Sequence, residues 1–587
     1  MNKFPLIRAK WSNEHGMAAL FTVLILYHLP LWKERPEEIF SYILLVTFGM
    51  LLDAVANLLR YKKLWCCVSG AVTATIISVL SPGVPLWGKL LGVGAALLFG
   101  KYIWGGTGKN WVNPAAFGFF FLLFFWKVPY PIFSSSHLIF PAVLLSLPFL
   151  KLRPYAGGGF IAGALVSLLI NRDFSLTSIL SGGVLFYSCI MLTDPVTVTR
   201  NRLVGVVSGC MAGFMSLYFK TNPWISIVCI LVINLCSCLT QNWAVPSVRL
   251  KIGKAFSYHP DQAVDLTGVD RQEEEAELGI GELSSEEIIR TLRQQEVYGM
   301  GGAAFPVYKK LQTVIKSKVK KKYLIINAVE CDPGLVHDQY VLYHYQEEIS
   351  KSINVLGNCT EFDAVYLAAR SVEGLKLPEP VKMHKTAGSY PAGAQKQLVK
   401  EILNIQLDKE EIPAKYGILV LNVQTVYSIY QAIYLNKRAE TRYLTVASQR
   451  RKTAQAVKVK LGMKLIDIME AVYPGESNLF AGGGMMQVYH AGEECVVDKN
   501  TNFITAAAFP GFKESPQCSR CGSCAAHCPV KLKVNKIADL VDRRRLEDAM
   551  KYHPADCIEC GSCSYLCPAG RNLAAKVTAA KNNELGG

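Results

Sequence analysis

Hydrophobic and polar positions divide this chain into two unlike halves. Up to about residue 240 the apolar residues come in long runs, at 17–32, 37–58, 65–82, 84–103, 111–127, 138–151, 156–170, 177–194, 202–219 and 222–240. Most of them approach the roughly 20 residues a helix needs to cross a bilayer. They predict a polytopic α-helical membrane bundle of about ten spans, the runs at 138–151 and 156–170 being the shortest. Beyond residue 240 the apolar runs shrink to strand length. Tyr323–Asn327, Ala364–Ala369, Gly417–Leu421 and Tyr443–Ala447 read as strands, and Val423–Tyr434 is the clearest helix among them, so this half predicts an α/β layer.

Composition agrees with a membrane half: only 18% of the 587 residues are charged and 51% are hydrophobic. The basic residues of the short loops alternate along the chain. One side holds Lys3, Arg8, Lys10, Arg60, Lys62, Lys63, Lys101, Lys109, Lys151, Arg153, Arg200, Arg202, Arg249, Lys251 and Lys254; the other holds Lys33, Arg35, Lys89, Lys127, Arg172 and Lys220. Because cytoplasmic loops carry the excess of Lys and Arg, both termini and residues 241–587 are expected on the cytoplasmic face of the plasma membrane. The net charge of +16 is largely this topology signal and gives no reason to expect a nucleic-acid partner. The first run lacks a small-residue cleavage site, so a retained helix is expected there and no cleaved signal peptide.

Two copies of one cysteine pattern lie near the end: Cys518-x2-Cys521-x2-Cys524-x3-Cys528-Pro529 and Cys557-x2-Cys560-x2-Cys563-x3-Cys567-Pro568. This is the spacing of a two-cluster ferredoxin, in which the fourth cysteine of each run ligates the other cluster. One [4Fe-4S] cluster is therefore assigned to Cys518, Cys521, Cys524 and Cys567, and a second to Cys557, Cys560, Cys563 and Cys528. A zinc ribbon or disulfides would use fewer ligands per run and would not need a Pro after the last Cys twice. The other cysteines have no ligand spacing and read mostly as small buried hydrophobes.

Polar stretches interrupt the membrane half at Gly105-Gly106-Thr107-Gly108-Lys109-Asn110-Trp111-Val112-Asn113-Pro114 and at Thr193-Asp194-Pro195-Val196-Thr197. Each could be a loop or a helix cap. Irregular polar backbone at membrane depth is tolerated where protein or ligand satisfies it, which makes Gly106, Asn110, Asn113, Thr193, Asp194 and Thr197 candidates for a ligand site in the membrane half. Asp53, an acid within the second run, could belong to an ion path, but it lies only two turns from Arg60 and is expected to pair with it near the interface.

In the second half, residues 241–296 read as a linker, with the acidic patch Glu273–Glu277 and a short helix begun at Ser284 or Ser285. Gly299-Met300-Gly301-Gly302-Ala303-Ala304-Phe305-Pro306 then precedes a helical run, a pattern that offers free amides to a phosphate. The strand Tyr323–Asn327 delivers Glu330, Cys331 and Asp332 at its carboxyl end, where α/β sheets bind ligands.

These motifs carry a family resemblance. Residues 15–240 resemble RnfD, a membrane component of the Rnf complex, and its relative NqrB of the sodium-pumping NADH:quinone oxidoreductase. That family also esterifies a flavin to a Thr in a Ser-Gly-Ala-Thr segment. Here Pro131–Ser136 has no such Thr and Ser69-Gly70-Ala71-Val72 lacks it, so no covalent flavin is expected, which leaves a non-covalent flavin for the membrane-half candidates above. Residues 297–570 resemble RnfC, the flavin-binding component of the Rnf complex, through Gly299–Pro306, Asn327–Asp332, Tyr390–Leu398, Asn422–Thr425 and the paired cysteine runs. The resemblance implies non-covalent FMN held by Gly299, Gly301, Gly302, Asn327, Asn422 and Thr425, with NADH stacking near Phe305, Glu330 and Asp332 and no catalytic dyad. Ala304 stands where the family has another Gly, and the amino-terminal domain of RnfC is missing. Residues 441–510, with Gly482–Met486, resemble a small β-grasp domain.

The expected architecture is thus multidomain: a membrane bundle (1–240), a linker (241–296), an α/β FMN/NADH-binding domain (297–440), a β-grasp domain (441–510) and a mainly α-helical ferredoxin-like domain (511–587). The expected function is a membrane-bound oxidoreductase of Rnf type. Electrons pass between NADH, FMN, two [4Fe-4S] clusters and a membrane flavin or partner, with coupling to Na+ or H+ translocation. Expected partners are other Rnf-type membrane proteins, a ferredoxin-like or flavoprotein carrier, and membrane lipid. A non-pumping conduit to extracytoplasmic flavoproteins and a redox-sensing transporter or scaffold are the alternatives.

Overall fold

The computed structural model describes residues 3–8, 13–61, 68–104, 106, 110–128, 154–171, 184, 186–194, 196–199, 201–219, 222–240, 250–259, 261–268, 283–302, 304–377, 380–386, 389–407, 411–508, 518 and 520–583. The run at 138–151, residues 177–183 and 185 of that at 177–194, the loop Pro131–Ser136 and the patch Glu273–Glu277 lie outside them.

Apolar runs of the first half become helices at Asn13–Glu34, Glu38–Tyr61, Val68–Leu80, Leu86–Leu97, Pro114–Leu123, Pro154–Ile170, Arg202–Tyr218 and Pro223–Thr240. Among the described residues only Glu38–Leu59 is both long and apolar enough to cross a bilayer by itself, and the other apolar helices are shorter, so the expected ten spans are not matched by count. The helices still differ from a water-soluble core. Phe40, Leu51 and Leu59 on the second helix, and Leu203 and Met211 on a later one, turn apolar surface outward. Glycines set the closest packing. A Cβ on Gly163 would lie 1.8 Å from the Cys210 carbonyl oxygen, and one on Gly213 1.9 Å from that of Phe160. Only glycine lets the helices Pro154–Ile170 and Arg202–Tyr218 approach this closely.

Asp53, expected beside Arg60, is held by Lys101, whose Nζ lies 2.5 Å from its Oδ1. Lys101 is therefore not the loop charge the topology count took it for: it lies in a π-helical turn, Leu98–Tyr102, that extends the helix Leu86–Leu97. A second π-turn, Tyr187–Met191, precedes Thr193. Each irregular turn leads directly into one of the polar stretches.

The second half builds two sheets. Four parallel strands, β2 (Tyr323–Ala328), β3 (Ala364–Ala369), β4 (Val381–Lys385) and β5 (Ile418–Asn422), lie in the order β4-β3-β2-β5. Leu324, Ile325 and Ile326 are wholly buried, as expected of a parallel strand covered on both faces. The six-stranded sheet has the order β1-β7-β6-β10-β8-β9, with β1 Ala263–Asp265, β6 Thr441–Ser448, β7 Thr453–Lys460, β8 Leu479–Gly482, β9 Val488–His490 and β10 Phe503–Ala506. The run Tyr443–Ala447 therefore belongs to this second sheet and not to the parallel layer.

Residues 250–268 are more than a linker. Strand β1 pairs with β7, Leu250 bridges to Tyr390, and Lys254 reaches Glu330. The helix Ser285–Gln294 starts at Ser284 with a reciprocal capping box to Glu287. Phe4 pairs with Val488 at the free edge of β9, and Leu6 is buried with Phe480 and Phe503. The cysteine-rich end is helical, with Val534–Asp542 and Leu546–Met550 as two helices and Leu573–Lys581 packed across them.

Candidate functional site

The register of β2 and β5 places Asn327 directly opposite Asn422 at the carboxyl end of the parallel sheet. Asn422 caps the helix Val423–Tyr434 by accepting from Gln424 N at 2.9 Å. Its Nδ2 donates to Asp338 Oδ2 at 2.7 Å. The glycine loop folds onto this point. A Cβ on Gly301 would lie 3.4 Å from Asn422 Cβ, Met300 N donates to Thr425 Oγ1 at 2.9 Å, and Gly299 N donates to Phe305 O at 2.8 Å. Gly302 has φ +107, which only glycine adopts cheaply, and Ala304 takes a left-handed φ of +48. Phe305 is 45% exposed at the loop's end, whereas Ala303 lies outside the described residues.

Beneath the loop lies a buried charged cluster that sequence reading found only in part. Glu330 Oε1 accepts from the Asp338 backbone N at 2.8 Å, and its Oε2 meets Lys254 Nζ at 3.2 Å. Burial, and then the neighbouring Glu330 carboxylate, push Asp338 up to about 7. Val336 N donates to Thr445 Oγ1, and the same hydroxyl lies 2.9 Å from His337 Nδ1. Burial, helped by Arg442 and Lys254, drives His337 down to about 3 and keeps it neutral. Arg442, wholly buried, spends its guanidinium on the carbonyls of Lys499, Asp498 and Met300 and on Asn502. Lys254, His337, Asp338 and Arg442 had no sequence signal, since each reaches the site from a distant segment.

The other strand-end residues point toward the cysteine domain. Asp332 accepts from the backbone N–H groups of Gly334, Met485 and Met486 at 2.9, 2.9 and 3.1 Å, so its carboxylate holds the 484–486 turn. Asn327 Nδ2 donates to Gly393 O at 2.9 Å. Tyr390, three residues earlier, donates its hydroxyl to Cys560 O at 2.6 Å. Gly561 has φ +72, and a Cβ there would lie 2.2 Å from Met486 O. Two short routes thus connect the sheet end to Cys560 and Gly561.

The cysteines themselves cross over. Cys567 has Cys521 and Cys518 as electrostatic neighbours, while Cys528 faces Cys560 and Cys557. Cys524 lies near Cys563. Backbone amides of Arg520, Glu559 and Leu532 donate to the sulfurs of Cys518, Cys557 and Cys528 at 3.4, 3.4 and 3.3 Å. Burial, followed by the neighbouring Cys560 and Cys528, drives Cys557 up to about 12, so it ionises only against a compensating cation. No group of three or more His, Cys, Asp or Glu side chains among the described residues is placed for a single metal ion. A cubane instead reaches each thiolate through a separate corner iron.

In the membrane half the two polar stretches meet through a residue not singled out from sequence. Asn113 N donates to Asn234 Oδ1 at 2.8 Å, and Asn234 Nδ2 donates to Thr197 O at 3.3 Å. Thr197 Oγ1 donates to Asp194 Oδ2 at 2.7 Å, Thr193 Oγ1 donates to Cys189 O at 2.6 Å, and Asn110 Nδ2 donates to Val112 O at 3.1 Å. Gly106 N returns to Lys101 O at 3.1 Å, while Gly105, Thr107, Gly108, Lys109 and Pro195 lie outside the described residues.

Family comparison agrees with this three-part layout. Residues 1–137 match the NQR2, RnfD, RnfE family, residues 292–431 the Nuo51 FMN-binding domain, and residues 517–571 the 4Fe-4S dicluster domain. The chain joins an RnfD-type segment to an RnfC-type one. The RnfC-type part is similar to the C component of the ion-translocating oxidoreductase complex of Vibrio cholerae, 29% identical over 296 residues, covering 47% of this chain and 38% of that protein. The corresponding protein of Rhodobacter capsulatus is 30% identical over 282 residues, covering 45% of this chain and 54% of its own. The chain thus spans about half the length of these curated relatives or less. A solved NAD+-reducing [NiFe]-hydrogenase covers 51% of this chain and 66% of its own at 14% identity, with a TM-score of 0.37.

The RnfC-type residues fit both groups. Gly301 and Gly302 are exposed and carry no side chain, which leaves their backbone open to a flat ring or phosphate. The crossed thiols, hard to ionise alone and already holding N–H donors, suit iron clusters.

Proposed function

We propose that this chain is an electron-transferring oxidoreductase component of Rnf type that links a hydride donor, NADH, to iron–sulfur clusters at the cytoplasmic membrane face. The carrying observation is the pair of direct routes from the flavin-binding end of the parallel sheet to Cys560. Tyr390 makes one, and Asp332 with the Met486–Gly561 contact makes the other. FMN, when bound, divides a two-electron hydride into single electrons that clusters accept. The protein's part is positional. Gly299, Gly301 and Gly302 admit the ring and phosphate, Asn327 and Asn422 define the floor, and Phe305 offers an exposed aromatic face for a nicotinamide to stack on. Hydride transfer needs orientation, so no acid–base pair is required at the transferred atom.

Two [4Fe-4S] clusters are assigned to Cys518, Cys521, Cys524 with Cys567, and to Cys557, Cys560, Cys563 with Cys528. Tyr390, bonded to Cys560 O, would lead from the flavin end of the sheet to the second of these. The RnfD-type segment would pass electrons on through a non-covalent flavin near Asn113, Thr197 and Asn234, with other Rnf-type membrane proteins as partners and Na+ or H+ translocation as the coupled work.

The test is anaerobic purification of the full chain, quantification of iron and released flavin, and addition of NADH. Joint bleaching of flavin and clusters is expected. Bound flavin that NADH leaves oxidised would move the donor to a ferredoxin-like partner.

A further inference from the structure

We propose that Asp338 is a redox-linked proton site: its carboxylate takes up one proton from water when FMN on the glycine loop is reduced by a hydride donor. This rests on the FMN reading above and adds a residue and a proton to it.

The geometry selects Asp338 from its cluster. Glu330 has both oxygens compensated, one by Lys254 and one by a backbone amide. Arg442 is committed to three carbonyls and Asn502. His337 is buried and neutral, with Nε2 3.6 Å from Asp338 Oδ1, beyond hydrogen-bond range. Asp338 alone has a carboxylate oxygen, Oδ1, that is buried and accepts no hydrogen bond, while its Oδ2 has only the neutral amide of Asn422. The residue is 8% exposed. Arg442 and Lys254 reach its charge only through space, and Glu330 adds a like charge beside it.

The same carboxylate is wired to the loop. Asn422 bonds Asp338 through its Nδ2, and a Cβ built on Gly301 would lie 3.4 Å from the Asn422 Cβ, so one side chain separates the acid from the glycine loop. A hydride brings two electrons and one proton to the ring, which gains one negative charge as the nicotinamide becomes its cation and leaves. A new negative charge at this range in a buried site raises a carboxyl already near its titration point. The carboxylate then takes one proton from water, offsetting the added charge.

The experiment is spectroelectrochemical titration of FMN in the anaerobic full-length protein between pH 6 and 8, for wild type, Asp338→Asn and Glu330→Gln. One proton per two electrons gives a slope of about 30 mV per pH unit, and a second proton doubles it to about 60 mV. We expect the slope in wild type to rise from the single value toward the doubled one as pH passes about 7, and the single slope throughout in Asp338→Asn. In Glu330→Gln, relief of the like charge moves the doubled region to lower pH. Infrared difference spectra should gain a protonated-carboxyl band on reduction that Asp338→Asn lacks. A single slope throughout in wild type, or a doubled slope that survives in Asp338→Asn, overturns the inference. A chain that binds no FMN overturns the reading beneath it and the inference with it.

Discussion

Lys101 Nζ lies 2.5 Å from Asp53 Oδ1 inside the RnfD-type segment, with side-chain exposures of 1% and 0%. Ser69 Oγ takes a second lysine proton at 3.1 Å, and the Tyr102 hydroxyl also donates to the carboxylate. A buried pair is costly to assemble and more costly to halve, because one charge is then left without a counter-charge. Lys101→Met should lower stability by about 3–5 kcal/mol, whereas the Asp53→Asn/Lys101→Met double variant should recover most of it. Thermal unfolding of the detergent-purified chain decides this; equal losses in the single and double variants would mean that the pair is not what matters.

Asp338 gives a signed pH dependence. Burial and Glu330 raise it from 3.8 to about 7. Its stability contribution is therefore full below pH 3.8 and is lost as pH climbs through 7. Asp338→Asn, which cannot ionise, should gain on wild type steadily from about pH 4 to about pH 8. His337 works in the opposite sense: lowered from 6.5 to about 3, its contribution is present above pH 6.5 and lost as pH falls toward 3. Melting temperatures across the range should show both limbs, and a pH-independent offset in Asp338→Asn would contradict this.

Asp332 tests whether a strand-end acid holds the domains together. Asp332→Ala strands three backbone amides, at roughly 1 kcal/mol or more each, so a loss of at least about 3 kcal/mol is expected. The 484–486 turn should loosen from Gly561, and iron should leave faster on chelator challenge. Gly484→Ala should mimic it, since a Cβ there would lie 2.5 Å from Asp332 Oδ2.

Gly301 separates ligand binding from folding. The added methyl of Gly301→Ala makes an ordinary 3.4 Å contact with Asn422, so the melting temperature should barely move. Flavin content should nonetheless fall at least tenfold, measured by release and fluorescence. Unchanged flavin would place the ring elsewhere.

Crossed ligation predicts which cluster each cysteine serves. Cys567→Ser should disturb the same low-temperature EPR signal as Cys518→Ser, and Cys528→Ser the same as Cys557→Ser. The opposite pairing would show that each run closes its own cluster.

What was legible in the sequence was local. Eight cysteines at fixed offsets, the glycine loop, and the apolar runs that became β2, β3 and β5 all announce themselves within a few residues. Strand β4, Val381-Lys382-Met383-His384-Lys385, did not, because an edge strand with polar alternation resembles a loop. The partnerships Lys254–Glu330, Arg442–Met300 and Asn113–Asn234 were illegible for another reason. Each joins segments far apart in the chain, and no spacing rule connects them. Asp53 misled because its nearest charge along the helix, Arg60, was weighed while its nearest charge in space sat one π-turn into another helix.

The pairing of Phe4 with Val488 constrains the membrane half by parity. Residues 4–6 are bonded to the redox half before the first helix begins, and Leu250 is bonded to it soon after the last helix ends. A segment whose two ends are tied to one body on one face can cross a bilayer only an even number of times. However the short helices share the work, an odd count would require one of those ties to break.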